Sequence, residues 1–517
     1  MKKRILLIVM LIGLWQIATA QHEHHNMNKP ATPARKATPK KKSAASPKKA
    51  TTTNAAKSST APHTSHSDTA IHNKPEADTM HGEHHQMHEA TDARTMEMSD
   101  TGMHNMQHTG MGHSNMDMPM SHAYSLNLPM NRNGSGTSWL PDNSAMYGYM
   151  LHAKKWMFMF HGNIFVRYNK QDLTNQGSRG GSKVDAPNMF MAMGQRKVGS
   201  NGLFRFGTML SLDAAIAGGS GYPLLFQSGE TWQGKPLIDR QHPHDLFSEL
   251  SVSYAHAFSP KADAYVYLGY PGEPAIGAVT FMHRPSGMFN PDAPIGHHWV
   301  DATHITFGVA TIGVRYGKFK IEGSSFTGRE PNEQRFDFDK PRFDSRSARL
   351  SFNPNKSWAL QVSHGFLKSP EVSHPGEDIN RTTASATYSY RLGQRNFIDV
   401  TGLWALNKIP GEHGSNAALL EATLRLKKLA LYSRYEWVQK SGEELALEEP
   451  QFDHHKLYPV NALTAGASYD VLEIWKTRLA LGAQLSVYRA DAQLRALYGN
   501  APLAGQIYMH IYPSLMR

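Results

Sequence analysis

The sequence predicts an all-β protein: a transmembrane antiparallel β-barrel of about sixteen strands, preceded by a disordered N-terminal tail. Three observations predict it. Between Trp156 and Tyr512 short segments alternate apolar and polar residues with period two, the spacing that puts every second side chain on one face of a strand. The connections between them alternate short and long, as periplasmic turns and outer loops do in such barrels. Past the N-terminus, no stretch approaches the ~20 apolar residues of a membrane helix.

The chain opens with a signal peptide. Met1-Lys-Lys-Arg4 is a basic n-region, Ile5 to Trp15 an apolar h-region, and Ala18-Thr-Ala20 supplies small residues for cleavage after Ala20. The 517 residues hold no cysteine, which removes disulfides, thiolate catalysis and thiolate metal sites. An envelope location follows, with a bacterial outer membrane expected and the tail in the periplasm.

Residues 21–130 lack apolar periodicity and read as a disordered tail, because they cannot bury enough surface to offset the entropy of ordering. From Pro30 to Thr60 the tail is Lys-, Ala- and Pro-rich, a basic spacer. Its flanks are different. His22, His24, His25 and Met27 precede the spacer; His81, His84, His85, Met87, His88, Met96 and Met98 follow it. The run continues through Met103, His104, Met106, His108, Met111, His113, Met116, Met118 and Met120. In all, 14 His and 12 Met fall within residues 21–130. Imidazole suits Cu(II), Ni and Zn, whereas soft thioether selects Cu(I), so interleaved His and Met point to copper or silver held in several exchangeable sites. Drift of composition in a solvated tail is the bland alternative.

Asn131 to Gly136 is a turn-rich boundary, and 131–155 reads as a pre-barrel or inward-folded segment; the barrel is 156–517. In the first strand Phe158, Phe160, Ile164, Val166 and Tyr168 share the outer face, and Met157, Met159, His161, Asn163 and Arg167 the inner one. Short turns are expected near 197–201, 259–261, 316–318, 353–356, 392–395, 427–428 and 470–473. Long connections are expected near 170–187, 214–245, 271–302, 328–343, 367–379, 407–415, 440–459 and 490–502. Thr303 to Val309 reads as a strand with Ile305, Phe307 and Val309 facing lipid. Lys320 and Glu322 point inward, as do Glu249, Ser251 and Ser253. A polar, water-filled lumen is the expectation, with Trp299, Trp358, Trp404 and Trp437 in interfacial girdles.

Two long loops carry unusual groups: Asp239-Arg-Gln-His242-Pro-His244-Asp245, then His283-Arg284 with His297-His298-Trp-Val-Asp301 and His304. If they fold together, His242, His244, His297 and His298 form a ligand set for Cu, Zn or Ni. The competing reading is a loop-locking network of Asp239, Arg240, Asp245, Arg284 and Asp301. Met189, Met191 and Met193 share a strand face, with Met157 and Met159 nearby, and make either a soft ladder across the lumen or ordinary gap-filling. Charged residues between Arg329 and Lys340 read as outer-loop material.

There is no Gly-x-Ser-x-Gly elbow, His-Glu-x-x-His helix, phosphate loop or dinucleotide fingerprint, so no enzyme and no obligatory cofactor is expected. The bound or transported ion would be Cu(I), Cu(II) or Ag(I). Expected partners are outer-membrane lipids and a periplasmic metal-handling protein, with no nucleic acid. Monomer and porin-like trimer both remain open.

Gly221-Tyr-Pro-Leu-Leu-Phe-Gln-Ser-Gly-Glu230, Asp239 to Asp245, Phe281-Met-His-Arg-Pro285, His297 to Thr306 and Phe326-Thr-Gly-Arg-Glu-Pro331 together resemble a poorly characterised family of bacterial envelope proteins found in metal-resistance contexts. The resemblance covers roughly 138–390. It implies an outer-membrane barrel and transfers no catalytic residue. In composition the tail also resembles periplasmic copper-resistance proteins, including the outer-membrane copper resistance protein B type. The expected function is copper or silver binding with transport or resistance, ion capture lying in the tail. The alternative is a general porin or surface barrel with no metal-specific role.

Overall fold

The computed structural model describes residues 120–516. The signal peptide and the tail histidines and methionines up to Met118 lie outside the described residues. Two strands open the chain, β1 (Ser121–His122) and β2 (Ser125–Pro129), followed by β3 (Tyr149–Ala153), β4 (Trp156–Gln171), β5 (Gly181–Asp185), β6 (Asn188–Val198) and β7 (Gly202–Leu210). Four two-residue strands, β8 (Tyr222–Pro223), β9 (Thr231–Trp232), β10 (Lys235–Pro236) and β11 (Arg240–Gln241), make two small ladders of their own. The wall resumes with β12 (Phe247–Ser259), β13 (Ala262–Gly269), β14 (Val309–Tyr316), β15 (Phe319–Phe326), β16 (Ser345–Phe352) and β17 (Trp358–Leu367). It ends with β18 (Ile379–Arg391), β19 (Asn396–Lys408), β20 (Ser415–Leu426), β21 (Leu429–Ser441), β22 (Leu457–Ile474), β23 (Thr477–Ala490) and β24 (Leu503–Pro513).

These strands close into one antiparallel barrel in chain order. Two staves are built from two pieces. β5 pairs the upper half of β4 and β6 the lower half, on the same side, so they form one stave broken at Ala186-Pro187. On the other side β24 pairs β4 from Ile164 to Lys170, while β3 pairs it from Trp156 to Phe160. Counted as staves there are sixteen. β3 adds no seventeenth; it completes the stave that β24 leaves short.

The period-two reading of the wall holds. Along β14, Ile312, Val314 and Tyr316 are 68%, 53% and 70% exposed, while Thr311 and Arg315 are buried. Lys320, Glu322, Glu249, Ser251 and Ser253 face inward as expected. An exterior this apolar is stable against hydrocarbon. The ladder closes on itself, so every central stave finds partners on both sides.

The lumen differs from the expectation. It is polar but filled, since the inward side chains are themselves buried. Three segments fill it. Residues 120–148 enter from the short-turn end: Asn353 Nδ2 donates to the Leu140 carbonyl at 2.9 Å and Arg349 to Thr137 Oγ1 at 2.8 Å. Residues 121–130, expected as the end of the tail, are folded here, with His122, Tyr124 and Met130 buried. Segments 211–246 and 270–308 fold in from the long-connection end. Arg167 pairs with Asp292 at 2.6 Å, Gln484 donates to Asp292 at 2.8 Å and Tyr508 to the Phe289 carbonyl at 3.0 Å.

Other expectations are corrected. Thr303 to Gly308 is not a strand: Ala302–His304 is a 3-10 turn, Ile305 and Phe307 are buried, and Val309 opens β14 facing inward. Gly308 has φ +107, and that left-handed residue reverses the parity before β14 begins. Trp299 is 2% exposed inside the lumen and joins no girdle. The last short turn lies at Trp475-Lys476, both with positive φ, because an irregularity between Asp470 and Leu472 lets β22 run on.

Candidate metal centre

The first inserted segment supplies His242 and His244; the second supplies His297, His298 and His304. The five rings converge. Ring centroids lie 5.7 Å apart for His242 and His298, 5.9 Å for His242 and His297, and 5.4 Å for His297 and His298. His304 lies 5.2 Å from His297 and 5.4 Å from His244. Imidazoles on one tetrahedral ion, with metal–nitrogen bonds of about 2.0–2.1 Å, have centroids roughly 5 Å apart.

Four of the five rings have a hydrogen-bond partner at Nδ1, His242 meeting the Pro243 carbonyl at 3.2 Å. His244 meets Asp213 Oδ2 at 2.7 Å, His297 meets Asp301 Oδ1 at 2.6 Å and His304 meets the Asp301 carbonyl at 2.8 Å. His242 lies 3.2 Å from Glu230 Oε1, and His298 lies 3.3 Å from Glu330 Oε2 without hydrogen-bond alignment. The other ring nitrogen, Nε2, is buried without a hydrogen-bond partner in His242, His244, His298 and His304. A carboxylate or carbonyl behind one nitrogen and a free second nitrogen is how metal-binding histidines are held. Among the described residues no three His, Asp or Glu donors already stand in metal-binding geometry. The rings are gathered at centroid distances of 5.2–5.9 Å.

The surroundings explain the gathering. Pro243 fixes the backbone between His242 and His244. A short helix, His297–Val300, is anchored by Arg381, which donates to the His298 carbonyl at 2.6 Å, and by Trp299 Nε1, which donates to Ser415 at 2.9 Å. Arg284 binds Asp301 and Glu421, each at 2.7 Å, and Arg335 joins Glu230 to Asp245. Gly229, at φ +120, lies where a Cβ would come within 2.6 Å of the His298 ring. Loop-locking and ring-gathering thus coexist, since the ion pairs that lock the segments also hold the imidazoles. Arg240 is an exception among the expected lock: it bonds the Ser220 and Gly221 carbonyls.

Charge follows geometry. Burial lowers the pKa of His242 and His304 well below the usual imidazole value, with neighbouring cationic groups adding to the effect. Burial also dominates at His297 and lowers it despite Asp301. At His298 burial is outweighed by Glu330, and the pKa is raised. Burial lifts Glu230 to about 7 against the pull of Arg335. Neutral imidazoles are the form that ligates metal.

A cavity of about 330 Å³ leads from His298 and Trp299 toward the long connections. Glu371, His374, Glu412, His413, Glu443 and His454 line it. Such a mouth concentrates cations. His374 bridges Glu371 at 3.2 Å and Glu443 at 3.0 Å.

The four loop histidines named from sequence are therefore brought together, with His304 as a fifth. Sequence reading missed Asp213, Glu230, Glu330 and Arg335. Glu330 and Arg335 sat in a charged run with no spacing signal, although Arg329-Glu-Pro carried the family likeness. Of the tail residues expected to hold metal, Met120 alone is described; it is exposed, its Sδ 3.3 Å from His152 Nε2.

No family model and no curated protein matches the chain. Solved structures similar to it include OmpT of Vibrio cholerae, at 9% identity over 70% of this chain and 100% of that one, with a TM-score of 0.41. Salmonella typhi OmpF in complex with daunomycin matches at 8% identity over 70% and 100%, TM-score 0.44. An anion-selective porin from Comamonas acidovorans matches at 11% over 69% and 99%, TM-score 0.42. The fold assignment rests on the barrel's own closed ladder.

Proposed function

We propose that this chain is an outer-membrane barrel that binds a divalent transition-metal ion, Cu(II) foremost, at the lumenal histidine centre. The His/Met tail serves as a periplasmic capture arm, and the ion is cargo in transport or resistance. One observation carries the reading: four buried imidazole Nε2 atoms without partners, gathered from two inserted segments. Leaving a buried polar atom unpaired costs about 1–3 kcal/mol. Four together are a burden that an ion would relieve. Imidazole-rich donors with carboxylates behind them suit Cu(II), Zn(II) and Ni(II).

The test is metal retention by the full-length protein in detergent. Loaded with Cu(II) and washed with a chelator, the wild type is expected to keep one tightly held ion while exchangeable tail copper is stripped. H242A/H304A is expected to lose that ion. Wild type that keeps none, or a folded double variant that keeps it, overturns the centre. The second reading is a general diffusion or surface barrel with no metal role. It draws support from the closed sixteen-stave wall itself, and a stripped, metal-free wild type would favour it.

A further inference from the structure

A second chamber lies in the lumen, and its chemistry differs from that of the histidine centre. It is a cavity of about 120 Å³ walled by β4, β6, the second inserted segment and residues 133–147. Met159, His161, Met189, Met191, Met193 and His283 face it, and Met146, Met282 and Met288 complete its sulfur lining. Imidazole and thioether already meet there. His161 Nε2 lies 3.0 Å from Met191 Sδ, while His283 Nε2 lies 3.4 Å from the Sδ of Met209, which does not line the cavity. The two rings stand 5.3 Å apart, nearly perpendicular. Among the described residues no Asp or Glu lines the cavity, and the two arginines that do are neutralised elsewhere: Arg205 by Glu249, Arg284 by Asp301 and Glu421.

Methionine usually fills gaps in a core. Here the thioethers surround a void that matches roughly four waters at ~30 Å³ each, so gap-filling does not describe them. A hard or highly charged ion would find no anionic donor. A soft ion of low charge would find sulfur and neutral nitrogen, the donor set of d10 monovalent metals.

We propose that this chamber is a binding site for a soft monovalent cation, Ag(I) or Cu(I), held by Met191, Met189 and the imidazoles of His161 and His283. It stands independently of the divalent centre. In sequence, the wall residues 133–147 follow the tail's own Met-x-Met and His clusters.

The experiment uses full-length protein in chloride-free detergent with silver nitrate. Each methionine is oxidised by peroxide and read separately by peptide mass spectrometry, which keeps the tail's signal apart. Silver is expected to slow oxidation of Met189 and Met191 several-fold, and Zn(II) is expected to leave it unchanged. M189L/M191L, a near volume-conserving change, is expected to bind less silver while retaining the chelator-resistant copper ion. Unprotected Met189 and Met191 alongside protected tail methionines would overturn the proposal, as would equal protection by Zn(II) or undiminished silver in a folded M189L/M191L. Loss of copper retention with silver protection intact would sink the divalent centre alone.

Discussion

Arg284 is fully enclosed, its guanidinium shared between Asp301 and Glu421. Breaking a buried ion pair from one side leaves uncompensated charge and costs about 3–5 kcal/mol. Arg284→Met is therefore expected to lower the urea midpoint of the barrel, followed by tryptophan fluorescence. It also frees Asp301, the group that orients His297; an unchanged midpoint would mean that water or another cation compensates. At the cavity mouth, His374 is pushed up to about 9, first by its hydrogen bond to Glu371 and, against burial, by the charges of Glu371 and Glu443. The sign follows from the raised value. The bridge's contribution is complete below the ordinary imidazole pKa of about 6.5 and disappears as pH climbs through about 9. Limited proteolysis of the 368–378 and 442–456 connections is expected to accelerate between pH 7 and pH 10, and in His374→Gln to be fast at both. Equal rates in the wild type at the two pH values would discard the bridge.

At the scale of elements, the wall was legible and the filling was not. A strand with lipid on one side writes its orientation into alternate residues, so Phe160, Val166 and Tyr168 declared one face of β4 and Met157, Met159 and Arg167 the other. Short turns were legible for the same reason. Inside the lumen a segment touches protein on all sides and no period survives: Ile305 and Phe307 alternate like a strand yet both are buried. Trp299 looked like a girdle residue because tryptophan at a strand end usually is one; here it pins a one-turn helix to Ser415. The five-histidine cluster was half legible. His242-Pro-His244 and His297-His298 stood out locally, but their convergence, and the service of Glu230 and Glu330 behind them, are long-range facts that no spacing encodes. The methionine ladder was visible as parity along β6, and only the fold supplies His283 to face it.

The described residues form a membrane barrel with a protein-like interior. Buried ion pairs such as Arg167–Asp185, Arg349–Glu322 and Arg434–Glu421 tie wall to wall, and Arg167–Asp292 and Arg284–Glu421 tie wall to filling. A lumen packed in this way leaves no wide aqueous path, so reconstitution in planar bilayers is expected to give little ohmic conductance. Excising 274–304 with a short glycine linker is expected to open it; large conductance from the intact chain would mean the inserted segments leave the lumen in a bilayer.

β3 has a consequence for how the cylinder shuts. The final strand to be made, β24, must find β4, and β4 arrives with its lower edge already occupied by its own hairpin partner. Only Ile164 to Lys170 is left to accept it, and the bridge between Tyr147 and Leu515 meets the incoming chain just beyond. A slip by one residue would turn every lipid-facing side chain inward. β3 thus works as a stop that admits one alignment, and it shields half of an exposed edge from other chains while the rest is still being assembled.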